Sequence, residues 1–345
     1  MRAVVIHQAK DLRIEDRESG EPGPGQVRVR IAAGGICGSD LHYYQHGGFG
    51  AIRVREPMIL GHEVAGTIEA VGPQVEGLSA GQPVAVSPSR PCGVCEYCLA
   101  GLPNHCLDMR FYGSAMRMPH IQGAFSETLV AEASQCHPVP DGISLNEAAF
   151  AEPLSVCLHA LTRAGEILGK RVLVTGCGPI GALCVTAARR AGALEIVATD
   201  VMDEPLTHAR TAGADHALNI AADPEALTPY TVNKGRFDIL LECSGNQRAL
   251  TGALDALRPR ATVVQVGLGG EVTLPMNTLV AKELQLHGTF RFHEEFAWAV
   301  KLISQRLIDV RPLLSHVMPI GQAVEAFELA GDRSQAMKVQ LAFGG

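Results

Sequence analysis

The sequence predicts a two-domain α/β protein, in which a β-rich first domain is joined to a doubly wound parallel sheet. Three observations carry this prediction. The chain has 345 residues, 47% hydrophobic and 19% charged, which suits two domains of roughly 100–200 residues each and is too apolar for disorder. Up to about residue 150, short alternating apolar runs are interrupted by Gly and Pro. Beyond Pro153, short apolar strands alternate with helical stretches, the pattern of parallel βαβ units.

The elements follow in order. Pro22, Gly23, Pro24 and Gly25 mark a turn before Val27-Arg28-Val29-Arg30-Ile31, which alternates at period two. Val64 to Ile68, followed by Val71-Gly72, reads as strand then turn. Residues 148–164 read as helix despite Pro153, and 171–174 as a short buried strand. A helix over 180–191, a strand over 195–199 and a helix over 204–212 come next. A strand at 237–242, a helix at 247–258, and strands at 262–266 and 284–290 complete the series. The remaining residues give a helical stretch and a last strand at 338–341.

Composition excludes several function classes. Lys and Arg number 29 against 36 Asp and Glu, for a net charge of −7 and no basic run. A nucleic-acid partner calls for a basic face, and aromatic residues at 5% supply few stacking platforms. No stretch approaches the ~20 apolar residues of a membrane span. The opening MRAVVIHQAKDLRIED turns acidic too early for a secretory signal, so a cytoplasmic protein is expected. Four of the ten cysteines, Cys92, Cys95, Cys98 and Cys106, lie close together. In an intracellular enzyme such clustering points to metal rather than to a disulfide framework.

Val172-Leu173-Val174-Thr175-Gly176-Cys177-Gly178-Pro179-Ile180-Gly181 places G-x-G-x-x-G directly after a strand and at the start of a helix. The first glycine permits the turn, the second lets backbone approach a pyrophosphate, and the third lets helix and strand pack closely. The helix N-terminus adds amide donors. Asp200 ends the second strand, where an acid accepts the ribose hydroxyls of adenosine. Val201, Met202, Asp203 and Glu204 offer no arginine for a 2′-phosphate, so NAD is expected over NADP.

Cys92, Cys95, Cys98 and Cys106 give C-x2-C-x2-C-x7-C. Four thiolates can close a tetrahedral Zn²⁺ site with no open position, a structural site, although an iron–sulfur cluster suits the same spacing. Cys37, His62 and either Glu63 or Glu152 form a dispersed second set. A thiolate, an imidazole and a carboxylate leave one position open, as catalytic zinc requires. Taken singly, Cys37 equally suits a small buried hydrophobe and His62 a hydrogen-bonded core histidine.

The ordered set of motifs resembles the zinc-dependent medium-chain alcohol and polyol dehydrogenases along essentially the whole chain. It comprises Cys37-Gly38-Ser39-Asp40, Gly61-His62-Glu63 with Gly66, the four-cysteine loop, Glu152-Pro153 and the dinucleotide turn. Glu152, Gly38-Ser39-Asp40-Leu41-His42-Tyr43-Tyr44 and Phe290-Arg291-Phe292 are similar to the sorbitol/idonate branch. So are Phe111-Tyr112-Gly113-Ser114-Ala115-Met116 and Gln265-Val266-Gly267-Leu268.

The resemblance implies a GroES-like catalytic domain over 1–152 and 293–345 and a Rossmann domain over 153–292. It implies one catalytic zinc held by Cys37, His62 and a carboxylate, with Glu63 and Glu152 left as alternatives, and one structural zinc in the cysteine loop. Cofactor contacts are expected at Gly176, Gly178, Pro179, Ile180, Gly181, Asp200, Val266 and Gly267. A proton relay would pass from the substrate through Ser39 and the cofactor ribose to His42 and solvent, and Tyr43 and Arg291 would grip the substrate. The implied substrate is a sugar acid or polyol, with a threonine-type alcohol as a further alternative, and the implied assembly is a homodimer or homotetramer. A non-catalytic, zinc- and nucleotide-binding regulator is the rival from another class.

Overall fold

The computed structural model describes residues 1–344, which divide into two compact units. Met1–Glu152, Phe296–Asp332 and the stretch from Lys338 onward make the first, and Pro153–Glu295 with Arg333–Met337 the second. Among the described residues, no helix is long and apolar enough to cross a membrane.

The first unit is built on a sheet whose strands run Cys136–Pro138, Pro83–Val86, Glu63–Val71, Gln26–Gly35, Lys338–Ala342 and Leu314–Pro319. Thr128–Glu132 also pairs with Gln26–Gly35. In Gln26–Gly35 the residues Val27, Val29 and Ile31 are fully buried while their neighbours are not, as period-two alternation requires when one face meets a core. Register places two chemically important positions together. Glu63 lies opposite Gly35 in the antiparallel pair with Glu63–Val71, and Gln340 lies opposite Gly35 on the other edge. Strand Lys338–Ala342 is thereby laid beside the end of Gln26–Gly35, where Ile36 donates its amide to the Val339 carbonyl at 3.0 Å.

The second unit is a six-stranded parallel sheet in the order His216–Asn219, Glu195–Asp200, Arg171–Thr175, Phe237–Glu242, Leu257–Gln265 and Gln285–Gly288. This is strand order 3-2-1-4-5-6, whose switch point lies between Arg171–Thr175 and Phe237–Glu242. All six residues of Phe237–Glu242 are buried, as expected for a strand covered on both faces. Leu173, Val197, Phe237, Leu240, Leu250, Leu254 and Leu257 form one core cluster.

The expected helix over 247–258 stops early. Gln247–Ala253 is helical, Leu254–Ala256 is a single 3-10 turn, and strand Leu257–Gln265 begins where the apolar run had suggested more helix. Both elements use that apolar run for the same core, so periodicity alone could not divide it. Several strands are not predicted from the sequence: Arg2–Gln8 and Pro83–Val86, which are well buried, and His216–Asn219 and Leu314–Pro319, which contain no buried residue.

Candidate functional site

In the first unit, Cys37 caps helix Gly38–His46, and His62 and Glu63 lead into strand Glu63–Val71. One ligand atom each from Cys37, His62 and Glu63 lies within 4.8 Å of the others. Asp40, wholly buried, ties the two loops together: one carboxylate oxygen accepts the Cys37 amide at 3.1 Å, the other the Gly61 amide at 3.3 Å. Gly61 has φ +92°, and a side chain there would strike the Phe125 ring at 2.1 Å, so glycine is required at this bend.

Glu63 is also buried, and its Oε2 lies 2.5 Å from Lys338 Nζ. Lys338 is itself buried and donates to the Ile36 carbonyl at 2.9 Å. Burial acts to lower the Lys338 pKa, but the carboxylate of Glu63, with Cys37 and Glu152, outweighs it and raises the pKa, so the ammonium stays charged. A Cβ on Gly35 would come within 2.1 Å of Glu63 Oε2; that glycine makes room for the acid.

Glu152, at the start of helix Ala151–Ala164, is buried in the same electrostatic environment. Burial pushes its carboxyl up to about 8; His62 opposes the shift while Glu63 and Cys37 add to it. The Cys37 thiol is pushed up to about 12 by burial and then by Glu63. Acids and a thiol crowded together in a buried pocket are a poor arrangement for their own charges and a good one for a cation, which would displace their protons. Among the described residues, His62 Nδ1 is buried without a hydrogen-bond partner, with Asp40 Oδ1 at 3.7 Å. An orphaned imidazole nitrogen in such a pocket fits a metal ligand set.

Ser39 and His42 sit three residues apart on helix Gly38–His46, a spacing that puts them on one face. Burial, with His46 nearby, lowers the His42 pKa, leaving the imidazole neutral at neutral pH. Tyr43 is buried, and its hydroxyl accepts the Ala115 amide at 3.1 Å.

The four-cysteine loop is equally compact. Single atoms from Cys92, Cys95, Cys98 and Cys106 lie within 4.8 Å of one another, and Cys95 Sγ is 3.9 Å from Cys106 Sγ. Tetrahedral Zn–S bonds of about 2.3 Å imply sulfurs roughly 3.8 Å apart. Backbone amides point at the sulfurs: Cys92 and Asp108 donate to Cys106 Sγ, and Cys95 to Cys92 Sγ. Amides of Cys98 and Leu107 hold the Cys95 thiol down to about 6. All ten cysteines are free thiols.

In the second unit the three glycines of the turn differ in the way their roles demand. Gly176 has φ +83° and would strike Ser244 at 2.7 Å with a side chain, and Gly181 would strike the Gly176 carbonyl at 1.8 Å. Gly178, by contrast, faces open space, which is what a pyrophosphate approaching the backbone needs. Pro179 opens helix Pro179–Arg190, where its missing amide proton costs nothing. Asp200 is buried at the end of its strand and accepts the Cys177 amide at 2.7 Å. Val266 and Gly267 both donate to the Glu242 carbonyl at 2.8 Å. Arg291 has φ +54°, a left-handed conformation uncommon for a side-chain-bearing residue, and its guanidinium lies 4.9 Å from the Phe290 ring centre.

Spacing alone does not single out three residues. Asp40 lies inside the Cys37 motif, and its role shows only in its burial and its bonds to the Cys37 and Gly61 amides. Lys338 joins the Glu63 pocket from the other end of the sequence. Glu242, fully buried at the sheet's switch point, accepts the amides of Ser244 and Gly245, both at 2.9 Å, and the Gln265 side chain at 2.5 Å.

A buried thiol–imidazole–carboxylate pocket and a dinucleotide turn on a 3-2-1-4-5-6 sheet define a class: a metal- and nicotinamide-nucleotide-dependent alcohol dehydrogenase. Residues 23–141 match the alcohol dehydrogenase GroES-like domain, and residues 179–305 the zinc-binding dehydrogenase domain. The chain belongs to the zinc-dependent medium-chain alcohol dehydrogenase family. It is 45% identical over 316 residues to the L-idonate 5-dehydrogenase (NAD(P)(+)) of Escherichia coli, covering 91% of each chain. It is 38% identical to the sorbitol dehydrogenase of Gallus gallus, covering 98% of this chain and 95% of that one. The crystal structure of L-idonate 5-dehydrogenase from Escherichia coli superposes with a TM-score of 0.95 at 42% identity, covering 99% of this chain and 98% of the other.

Proposed function

We propose that this chain oxidises a secondary alcohol of a sugar acid, L-idonate to 5-ketogluconate, with NAD⁺ as the preferred hydride acceptor. Metal chemistry is assigned to the first unit and dinucleotide binding to the second. The observation that carries the reading is the convergence of Cys37, His62 and Glu63 in one buried pocket. The carboxylate of a sugar acid gives Arg291 a planar, bidentate partner that a neutral polyol lacks. The 45% identity to an L-idonate enzyme, against 38% to a sorbitol enzyme, points the same way.

Cys37 and His62 would hold a catalytic zinc, with Glu63, which lies within reach of both, or Glu152 as the third ligand. Cys92, Cys95, Cys98 and Cys106 would hold a second, structural zinc. When bound, the catalytic zinc supplies Lewis acidity that makes the alcohol proton easier to remove, and the nicotinamide accepts hydride. The remaining tasks fall to side chains. Asp40 keeps the Cys37 and His62 loops at a fixed separation. Lys338 balances the charge of Glu63. Ser39 takes the alcohol proton, and neutral His42, one helical turn on, passes it toward solvent. Asp200 favours the ribose hydroxyls of NAD⁺. A cytoplasmic homodimer or homotetramer completes the reading.

The test is a panel of L-idonate, D-gluconate, sorbitol, xylitol and L-threonine with NAD⁺ and NADP⁺, followed by nicotinamide absorbance, with zinc measured on the same preparation. Fastest turnover on L-idonate and two zinc ions per chain are expected. Equal kcat/KM on sorbitol and L-idonate overturns the sugar-acid assignment. A single zinc, with no turnover on any alcohol, favours the regulator.

A further inference from the structure

The acid that closes the second strand of the nucleotide-binding sheet is already fully engaged. Oδ2 of Asp200 accepts the Cys177 amide and a guanidinium N–H of Arg333, both at 2.7 Å. Oδ1 accepts the amides of Val201 at 2.7 Å and Met202 at 3.2 Å. A carboxylate offers about four lone-pair positions, and here four donors use them. Three of the donors are backbone amides fixed by the glycine turn and the strand end. The fourth belongs to a long side chain that is 46% exposed, whereas that of Asp200 is 2% exposed.

Arg333 comes from the segment Arg333–Met337, 133 residues beyond Asp200 in the chain. The residues after Asp200 therefore give no warning of a cation there. The other acids close by in sequence are engaged elsewhere: Asp203 accepts from Asn219 at 2.8 Å, and Glu204 lies 3.7 Å from His208.

An acid at this position selects the 2′-hydroxyl of NAD, and an arginine beside it accommodates the 2′-phosphate of NADP. This chain carries both, in contact. We propose that Arg333 is a second determinant of cofactor choice: released from Asp200, it receives a 2′-phosphate, so that the chain accepts NADP⁺ as well as its preferred NAD⁺. While paired with Asp200, Arg333 cancels the charge that an isolated carboxylate would turn against a phosphate. When a 2′-phosphate arrives, the guanidinium exchanges one anionic partner for another, and the three backbone amides go on satisfying Asp200. The arrangement is asymmetric: a ribose hydroxyl of NAD⁺ needs only the position on Asp200 that Arg333 vacates, whereas a 2′-phosphate of NADP⁺ needs Arg333 itself. The inference rests on the reading of Gly176–Gly181 and Asp200 as the dinucleotide site.

The experiment is equilibrium titration of the purified protein with NADH and with NADPH, followed by the fluorescence of the reduced nicotinamide. The variants are Arg333→Gln and Arg333→Lys, with circular dichroism to confirm that each is folded. The wild type should bind both cofactors, NADH more tightly. A hydrogen bond to a charged group is commonly worth a roughly ten- to hundredfold change in affinity. Arg333→Gln should therefore lose that factor for NADPH and change less than about threefold for NADH, while Arg333→Lys keeps part of the NADPH affinity. Adenosine 2′,5′-bisphosphate should displace NADH from the wild type better than AMP does, and lose that advantage in Arg333→Gln. Parallel losses for both cofactors, or no loss for either, overturn the proposal. So does a wild type that binds NADH and not NADPH. A wild type that binds neither overturns the dinucleotide site itself.

Discussion

Replacing Lys338 by Met removes the only ion-pair partner of the buried Glu63 carboxylate among the described residues and leaves side-chain volume nearly unchanged. The two groups are 2.5 Å apart, with side chains 4% and 1% exposed, so water cannot take the lysine's place. Breaking a buried pair from one side costs about 3–5 kcal/mol, because the remaining charge is stranded. Total stabilities of about 5–15 kcal/mol make this a large loss. For a unit of this size it corresponds to a fall in Tm of roughly 6–20 °C. The assay is urea and thermal unfolding of the metal-stripped protein, run on wild type, Lys338→Met, Glu63→Gln and the double variant. The double variant should recover most of the loss, since two neutral groups then face each other. Zinc should shrink the deficit of Lys338→Met, because a second cation reaches the same carboxylate. A single variant within about 1 kcal/mol of wild type, or a double variant no better than the single, refutes the reasoning.

Three further outcomes are expected. Cys95→Ser should lower bound zinc from two ions to one and expose residues 92–106 to proteolysis. Val94 and Leu99 there are both 76% exposed, so few packing contacts would hold that loop without metal; retention of two zinc ions counts against it. Gly35→Ala should push Glu63 aside, since the new methyl would lie 2.1 Å from Oε2, costing about 1–3 kcal/mol and weakening zinc binding measured by competition with a chelator. Glu295 is held down to about 2 despite burial, through His159 at 2.8 Å and backbone amides including that of His293. Its folded pKa lies below the usual carboxylate value, so its stabilisation is complete above about pH 4.5 and is lost as pH falls toward 2. The difference between wild type and Glu295→Gln, followed by denaturant unfolding of metal-stripped protein, should be on the order of 2–3 kcal/mol at neutral pH and vanish at about pH 2; a pH-independent difference contradicts the assignment.

Local signals made most of this molecule readable. The dinucleotide turn is contiguous, so strand, glycines and helix explain one another within ten residues, and the cysteine loop likewise announces itself by spacing. Strands such as Phe237–Glu242 were legible because burial on both faces favours apolar residues, here Phe237 and Ile239 to Leu241. His216–Asn219 was not, because an edge strand with no fully buried residue has no pattern to display. In the sites, Cys37, His62 and Glu63 needed the company of the other motifs before they stood out. Lys338 and Arg333 could not be read at all. Each acts on a residue more than a hundred positions away, and nothing near either in sequence advertises a partner. Long-range register, set by strand Lys338–Ala342 beside Gln26–Gly35, is the information that local patterns lack.

The lateness of Lys338 in the chain has a consequence for biosynthesis. The ribosome makes Cys37, His62 and Glu63 long before it reaches the lysine that neutralises them, so a nascent polypeptide can shape most of that pocket but cannot settle its charge. Any product terminated short of residue 338 keeps an acid in its interior with no counter-ion from its own sequence. Such fragments also lack strand Lys338–Ala342, the partner of Gln26–Gly35, so the pocket is completed only when translation has run nearly to its end.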